Sequence, residues 1–396
     1  MPTARMGHRP WRAAAPAMAC GLALALSMPP APARAEGTAE KAPPAICWAP
    51  DQLAFHPGEE RIQKDVKAAF VAPPRRSPLR AAQQPRNRGE AIRRVKLPPG
   101  KKLVAMTFDL CEQPNEISGY QGGTVDFLRA NGIKATFFAG GKWMLTHRER
   151  AKQLMSDPLF EVGNHAWEHR NLRLLNGSAL VKEVENAQIA YEQVRDELAK
   201  AQCLAPDQSR LAHEYAPRRI GLFRFPFGAC SDKALETVGE MGLTAIQWDV
   251  SAGDPTPSLG AEKMARGVLA SVKPGSIILF HANGRGWHTP EALPHIVAEL
   301  KKRGYGFVTV SELLEAGEPV AERICYDSRP GDTDRYDGLA RRLELMYQRA
   351  RAKALSAAAA LGGAEPPPTS VPIPAPAQRP AVGSGFKTEV QKDLQR

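Results

Sequence analysis

Two histidines four residues apart are the first indication of chemistry in this chain of 396 residues. The segment 163–169 reads GNHAWEH, follows a short apolar run and contains His165 and His169. On a helical turn that spacing puts both imidazoles on one face, within reach of a single cation. Neutral imidazoles suit zinc, cobalt, nickel or iron, and they do not suit calcium. The segment therefore indicates a metal site, although a histidine pair alone more often has a structural or exposed role.

Four other segments each join an apolar run to a side chain that can do chemistry. Asp109 follows KLVAMTF, Arg224 lies within GLFRFPFG, and His281 follows SIILF. Asp254 comes shortly after the run LTAIQWD. Carboxylates and imidazoles accept and donate protons in hydrolysis, and a guanidinium can orient a carboxylate. These residues are therefore candidate catalytic groups, and each also has an ordinary reading as a strand-end cap, an ion-pair partner or a turn residue.

The apolar runs also indicate the elements that must position these groups, because buried parallel strands are nearly continuous in apolar residues. Seven candidate strands lie at 102–108, at 134–139, directly before His165, and at 221–228, 243–249, 276–280 and 306–310. Helix-like stretches lie at about 124–131, 147–156, 178–200, 231–241, 259–272 and 290–303. This alternation predicts a parallel α/β barrel. Polar residues at the carboxyl ends of its strands are where catalytic groups gather in such barrels.

These segments, in this order, resemble the five motifs of the polysaccharide deacetylases, carbohydrate esterase family 4, which includes the nodulation-type chitooligosaccharide deacetylases. The resemblance covers about residues 100–316. It implies an α/β fold, namely a distorted barrel of seven or eight strands. It also implies a metal-dependent hydrolase acting on C–N bonds other than peptide bonds, which removes acetyl groups from N-acetylglucosamine in peptidoglycan or chitooligosaccharide-like polymers.

The resemblance assigns catalytic roles to the positions that match the family's motifs. Asp109 matches the catalytic base, and Arg224 matches the arginine that orients it. His281 matches the general acid, and Asp254 resembles the aspartate that holds this histidine in its charged form. Amide hydrolysis needs such a pair, because water must lose a proton and the leaving amine must gain one.

Metal-binding and substrate-binding roles are implied in the same way. His165 and His169 match the metal-binding pair, and the implied cofactor is a divalent metal, with zinc preferred and cobalt or nickel as alternatives. A backbone amide at Phe227 is expected to bind the oxyanion, and Leu279 is expected to line the acetyl pocket. Trp248 resembles part of the fourth motif and is a further candidate for substrate binding.

One departure from the family concerns the third metal ligand. The family has a second aspartate directly after the catalytic base, whereas this chain has Leu110, followed by Cys111 and Glu112. We expect Glu112 to supply the missing carboxylate. The alternatives are that Asp109 binds the metal and another group acts as base, that the Cys111 thiolate is the ligand, or that the site is degenerate. In the last case the protein would be a carbohydrate-binding or scaffold protein on the same barrel.

Composition predicts an exported protein with basic and low-complexity extensions. Residues 1–35 contain arginines, an apolar stretch and a final Ala-Arg-Ala, the order of a signal peptide, so the protein is expected in the periplasm or secreted, without a later transmembrane span. The predicted parts are 1–35 signal peptide, 36–100 basic low-complexity extension, 101–316 barrel, 317–361 helical extension and 362–396 disordered Pro/Ala-rich tail. Both extensions flanking the barrel are expected to be flexible.

The partners expected from the sequence are an acetylated glycan substrate and, through the basic extension, an anionic polymer of the cell envelope. The formal net charge is +11, but aromatic residues are not interleaved with the basic ones, so no nucleic-acid partner is expected. Export permits disulfides. Bonds between Cys111 and Cys230, or between Cys47 and Cys325, are conceivable from their places along the chain.

Overall fold

A computed structural model describes residues 47–64, 71–79, 84–200 and 216–360 of this protein. The strands are β1 (Gln63–Lys64), β2 (Ala91–Lys96), β3 (Leu103–Leu110), β4 (Glu116–Ile117), β5 (Ala135–Ala139), β6 (Phe160–Asn164), β7 (Leu222–Phe223), β8 (Thr244–Ile246), β9 (Val250–Ser251), β10 (Ile277–His281), β11 (Gly306–Phe307) and β12 (Glu318–Glu322). The α-helices are α1 (Pro50–Leu53), α2 (Gly122–Ala130), α3 (Gly141–Thr146), α4 (Arg148–Ser156), α5 (Gly177–Ala199), α6 (Asp232–Glu240), α7 (Ala261–Ser271), α8 (Thr289–Lys302), α9 (Val310–Glu315) and α10 (Asp337–Ala360). The predicted signal peptide and Pro/Ala-rich tail lie outside the described residues.

A curled sheet of mainly parallel strands forms the centre of the fold. Its order is β12-β2-β8-β7-β6-β5-β3-β10-β9, and β11 also pairs with β3. Strands β8 and β9 stand near opposite ends of this order, yet only residues 247–249 separate them along the chain. Within that link, the Gln247 amide donates to Ile92 O at 2.7 Å and the Asp249 amide donates to Ile277 O at 3.2 Å. The link therefore joins β2 to β10, and the sheet curls into the distorted α/β barrel expected from the sequence.

The core has two parts because each buried strand presents alternate side chains to opposite faces. In β3, Val104, Met106, Phe108 and Leu110 belong to one large apolar cluster, which also contains buried residues of the surrounding helices. Ala105 belongs to a second cluster with Phe138 of β5, Ile277 and Leu279 of β10, and Trp248. Thr107 and Asp109 alternate with the first set and are also buried. The polar side of β3 therefore faces the barrel interior.

All seven predicted strands and all six predicted helices of the barrel are present, but the sequence analysis missed β2. This strand reads AIRRVK and lies in the stretch predicted to be a basic extension. Ile92 and Val95 are buried, while the Arg93 guanidinium lies 3.4 Å from the centroid of the Tyr326 ring. The two arginines made this strand resemble a solvated segment, whereas the Arg93 charge has aromatic and carbonyl partners inside the fold.

The segment after the barrel packs back onto it. Antiparallel pairing joins β12 to β2, and a disulfide joins Cys230 to Cys325. Both disulfides considered from the sequence are therefore wrong, and Cys111 is free and buried. Helix α10 follows, within the helical extension predicted at 317–361. Among the residues described, no helix combines the length and apolarity needed to cross a membrane.

Gly163 of β6 provides a test of the packing beneath the site. A Cβ atom placed there would lie 2.6 Å from two carbons of the Phe138 ring, and that ring lies 4.0 Å from the Arg224 guanidinium. We expect Gly163→Ala to lower the free energy of unfolding by about 1–3 kcal/mol, as overpacking does. Urea titration followed by circular dichroism measures it.

Gly123 of α2 is the matched control, because a Cβ there would meet no atom within 4 Å. Gly123→Ala should raise the free energy of unfolding by roughly 0.5–1 kcal/mol, since alanine is the better helix former. Equal stabilities of the Gly163→Ala variant and the parent would contradict the packing described.

Candidate active site

The pairing of β3 with β10 brings two candidate catalytic residues side by side. Parallel register places Asp109 opposite His281 at the carboxyl ends of these strands. On the other side, β3 pairs with β5, β5 with β6, and β6 with β7. The His165 loop follows β6 and Arg224 follows β7, so all these polar groups reach the same end of the barrel. The pairing of the strands therefore brings the residues of the candidate site together.

Arg224 holds the Asp109 carboxylate. Its guanidinium is fully buried and donates from Nη1 to Asp109 Oδ1 at 2.9 Å and to Thr107 Oγ1 at 2.8 Å. Burial raises the pKa of Asp109, but the positive charges of Arg224 and His281 and the hydrogen bond from Arg224 outweigh it and leave that pKa below its usual value. Asp109 is therefore an ionised carboxylate that can accept a proton.

His165 and His169 lie together, although not on a helical turn as the sequence analysis expected. They occupy an irregular loop after β6, in which Ala166 and His169 adopt left-handed backbone angles (φ 64° and 56°). The two ring centroids are 5.1 Å apart. Left-handed residues other than glycine are strained, and such strain concentrates at functional sites. The prediction of one helical face was wrong, whereas the convergence of the two imidazoles was correct.

The nitrogen lone pairs of these two histidines are suited to bind a metal ion. His165 Nδ1 donates to the Arg224 carbonyl at 2.9 Å, which leaves Nε2 unprotonated. His165 Nε2 and His169 Nδ1 are both buried, and neither has a hydrogen-bond partner among the described residues. Burial lowers the pKa of both imidazoles, so both are neutral ligands. One donor atom from each histidine and the Cys111 sulfur lie within 4.8 Å of one another. Two buried nitrogen atoms without hydrogen-bond partners among these residues, beside a buried sulfur, fit the donor set that a divalent metal requires.

Glu112, the third ligand expected from the sequence, is directed elsewhere. Its buried carboxylate accepts hydrogen bonds from Thr146 Oγ1 at 2.9 Å and from the Ser118 amide at 3.1 Å, and it lies 3.4 Å from Lys142 Nζ. The alternation of β3 explains this result. Asp109 faces the barrel interior and Leu110 faces the helices, so Cys111 returns to the interior and Glu112 does not. The structure therefore brings Cys111, the less favoured candidate, to the histidines.

Asp254 fixes the ring of His281. His281 Nδ1 lies 3.0 Å from Asp254 Oδ1, and Asp254 Oδ2 accepts from the His281 amide at 2.7 Å and from Thr289 Oγ1 at 2.9 Å. Burial lowers the pKa of His281, but the Asp254 charge and hydrogen bond outweigh it and raise that pKa above its usual value. His281 is therefore a proton donor, placed beside a proton acceptor, Asp109.

The three candidate substrate-binding residues differ in their surroundings. Phe227 lies in a turn with φ 61°, is 39% exposed, and its ring centroid is 4.4 Å from that of His169. Leu279 is buried in the barrel interior. Trp248 is also buried, and its Nε1 donates to Asp327 O at 2.9 Å. Phe227 is the one of the three with an open face at the site.

The sequence analysis missed two supporting residues. Thr289, at the start of α8, binds Asp254, and Asn283 donates from Nδ2 to both the carbonyl and the sulfur of Cys111. Asn283 lies two residues after His281, which was the only signal in the sequence that it belongs to the site. Its partner is 172 residues away in the chain, so no local pattern could connect them.

Comparison with known proteins identifies similar chains. The sequence model of the family described as "Polysaccharide deacetylase" matches residues 96–246. A peptidoglycan-N-acetylglucosamine deacetylase of Bacillus cereus is 30% identical over 222 residues, which cover 55% of this chain and 91% of that protein. One from Listeria monocytogenes is 29% identical over 54% of this chain, but the match spans only 39% of that protein's length. A solved pseudoenzyme of carbohydrate esterase family 4 from Bacillus anthracis is 23% identical, with a TM-score of 0.45, covering 58% of this chain and 70% of that one.

The donor set of this site can be tested by exchanging its candidate third ligands. We expect Cys111→Ser to weaken zinc binding by more than the roughly 10- to 100-fold that loss of a supporting residue costs, because a ligand is removed. Zinc content after dialysis and competition with a chelator measure the change.

Glu112→Gln is the matched control for this exchange. Because its carboxylate binds Thr146, Ser118 and Lys142, the variant should retain zinc. Loss of zinc from Glu112→Gln together with full retention in Cys111→Ser would restore Glu112 as the ligand.

Proposed function

Because this chain belongs to the polysaccharide deacetylase family, whose members are hydrolases of non-peptide C–N bonds, we propose that it is an exported, metal-dependent deacetylase of N-acetylglucosamine-containing glycans. The observation that carries the proposal is the meeting of three units at one end of the barrel. These are the Asp109–Arg224 ion pair, the Cys111–His165–His169 donor set and the Asp254–His281 pair. Hydrolysis of an amide needs a base, an electrophile and an acid, and the three units correspond to them.

Cys111, His165 and His169 would hold the cofactor. A thiolate with two imidazoles favours zinc, with cobalt as a substitute, over magnesium or calcium. A divalent metal at such a site lowers the pKa of water and polarises the acetyl carbonyl. The chain's contribution is to keep both imidazoles neutral by burial and to fix the His165 tautomer through the Arg224 carbonyl.

Asp109 acts as the base in the proposed mechanism. It accepts the proton of the attacking water, and Arg224 keeps the carboxylate ionised and correctly turned. Asp109 Oδ2 also lies 3.3 Å from His165 Nε2, so the proton acceptor borders the metal donor set. Asp109 is therefore placed to take the proton of a water beside the residues that would hold the metal. This position suits a general base, which must lie within reach of the water it activates.

His281 acts as the acid. The amine of a glucosamine unit is too basic to depart without a proton, and His281 retains one because Asp254 raises its pKa. The left-handed turn at Phe227 lies against His169, so its backbone amide is available to the oxyanion on the side of the metal donors. Leu279 and Trp248 give the acetyl group an apolar surrounding within the barrel.

Peptidoglycan is our preferred substrate, and a chitooligosaccharide-like polymer is the alternative. The preference is supported by the Bacillus cereus peptidoglycan deacetylase, since this chain covers 91% of that protein. The signal-like residues 1–35 support export to the periplasm or beyond, where such glycans occur. The basic residues of the N-terminal extension would hold the protein near anionic envelope polymers.

Acetate release tests the proposed activity. We expect the zinc-loaded protein to release acetate from peptidoglycan or N-acetylglucosamine oligomers, metal removal to stop it, and restored zinc to recover it. Asp109→Asn should reduce turnover by roughly 10²–10⁴-fold, the usual contribution of a general base. Asp232→Asn, at an exposed position of α6, should leave it unchanged. A zinc-loaded protein that releases no acetate from any acetylated glycan would favour the non-catalytic binding or scaffold alternative.

The Asp254–His281 pair predicts a pH effect. His281 must be protonated to act as an acid, so activity falls as pH rises through its pKa, which Asp254 holds above the usual value. Asp254→Asn removes the charge that raises it, and the alkaline limb of the kcat/KM profile should move to lower pH. Asp249→Asn is the control, since Asp249 binds the Ile277 amide and Ser276 instead. An unmoved alkaline limb in Asp254→Asn would mean that another group is the acid.

A further inference from the structure

We infer that Asn283 is a positioning residue for Cys111 and aims its sulfur at the two histidines. The inference rests on the proposed metal centre and extends it to a residue that does not itself bind the metal. Asn283 is fully buried, and its side-chain nitrogen lies 3.1 Å from the Cys111 sulfur and 2.7 Å from the Cys111 carbonyl oxygen. The side-chain amide nitrogen of Asn283 therefore donates to two atoms of a single residue.

These two hydrogen bonds restrain both the backbone and the side chain of Cys111. The bond to the carbonyl fixes the backbone beyond the end of β3, and the bond to the sulfur selects one direction of the side chain. An amide that donates to a ligating sulfur also stabilises its negative charge, because charge-assisted hydrogen bonds are stronger than neutral ones. Loss of a residue that orients a ligand in this way typically lowers metal affinity roughly 10- to 100-fold.

The backbone holds Asn283 firmly enough to act as such a support. Its carbonyl accepts from the Gly119 amide at 3.0 Å, and the neighbouring Ala282 carbonyl accepts from the Gln121 amide at 2.9 Å. The Ala282 amide donates to Asp109 O at 3.1 Å. The loop after β10 is therefore bonded along its length to β3 and to the loop that begins at Cys111.

Arg285 provides a second tie between the same two loops. Its Nη2 donates to both carboxylate oxygens of Glu116, at 2.7 and 2.9 Å, and the Glu116 side chain is only 5% exposed. Glu116 lies five residues after Cys111, so this ion pair fixes the far end of the Cys111 loop. Asn283 therefore contacts the sulfur of a residue whose loop is held in place at both of its ends.

The arrangement links the third metal ligand to the proposed acid. His281 ends β10, and Asn283 lies two residues later in the loop that follows. Asn283 contacts Cys111 and His281 contacts Asp254, so both contacts are made from one short stretch of chain. Leu110 cannot bind a metal, and the contact from Asn283 lets the cysteine beyond it serve as the ligand.

Cobalt substitution tests this inference in the full chain. A cobalt ion bound by a thiolate has a sulfur-to-cobalt charge-transfer band in the near ultraviolet, which Cys111→Ser should abolish. Asn283→Asp has the same shape but loses both donors, and we expect it to weaken cobalt and zinc affinity by roughly 10- to 100-fold. The charge-transfer band should also shift or lose intensity. Asn131→Asp, the same exchange at an exposed position, should change neither.

The outcomes separate a positioning role from a purely structural one. Unchanged affinity and an unchanged band in Asn283→Asp would overturn the inference. If Asn283→Asp does not fold, Asn283→Ala, which buries no additional charge, is measured in the same way and judged by the same two readouts. A parent band that survives Cys111→Ser would overturn the ligation by Cys111, and this inference with it. In that case, acetate release by the parent protein would still test the proposed function, independently of this inference.

Discussion

The ion pair between Arg224 and Asp109 is the constraint on which the site depends. Arg224 has no exposed surface, and removing one partner of such a buried pair costs about 3–5 kcal/mol because the remaining charge is uncompensated. The guanidinium also donates to the carbonyls of Ile246 and Gln247 at 3.4 and 3.3 Å. One side chain therefore ties the end of β3 to the ends of β7 and β8, and the Arg224 carbonyl fixes His165 as well. The side chain that holds the proposed base is therefore also a link between strands of the barrel.

Strand alternation decides which side chains reach this ion pair. Because β3 points odd-numbered residues inward, Thr107, Asp109 and then Cys111 share the interior, while Leu110 packs in the outer core. A ligand directly after the base would need the chain to turn at that point. This chain instead stays extended through Leu110 and offers its next inward residue. The proposed change of ligand from oxygen to sulfur is thus a consequence of backbone direction.

The sequence allowed much of the fold to be predicted, and less of the site. Apolar runs mark the barrel strands because most of these strands are buried on both faces, and the pairs Asp109–Arg224 and Asp254–His281 followed from motif order. The third ligand was not predictable in this way, since it depends on which face of the strand end is in use. Strand β2 was not predictable either, because its arginines resemble those of a solvent-exposed segment. The contact of Arg93 with Tyr326 is visible only in the structure. Local sequence patterns could not predict contacts between residues that are far apart in the chain.

The disulfide between Cys230 and Cys325 makes the C-terminal segment part of the structure around the candidate site. The two cysteines are 95 residues apart, so they close a covalent loop that contains β8, β9, β10 and α8. Beside Cys325, the Tyr326 carbonyl and Asp327 Cα would lie only 3.1 and 3.2 Å from a Cβ placed on Gly228. The wall behind the Phe227 turn is therefore built from residues beyond 316. A truncated protein that ends with the barrel would lose this wall, leave Cys230 with an unpaired thiol and present a wider cleft than the intact chain.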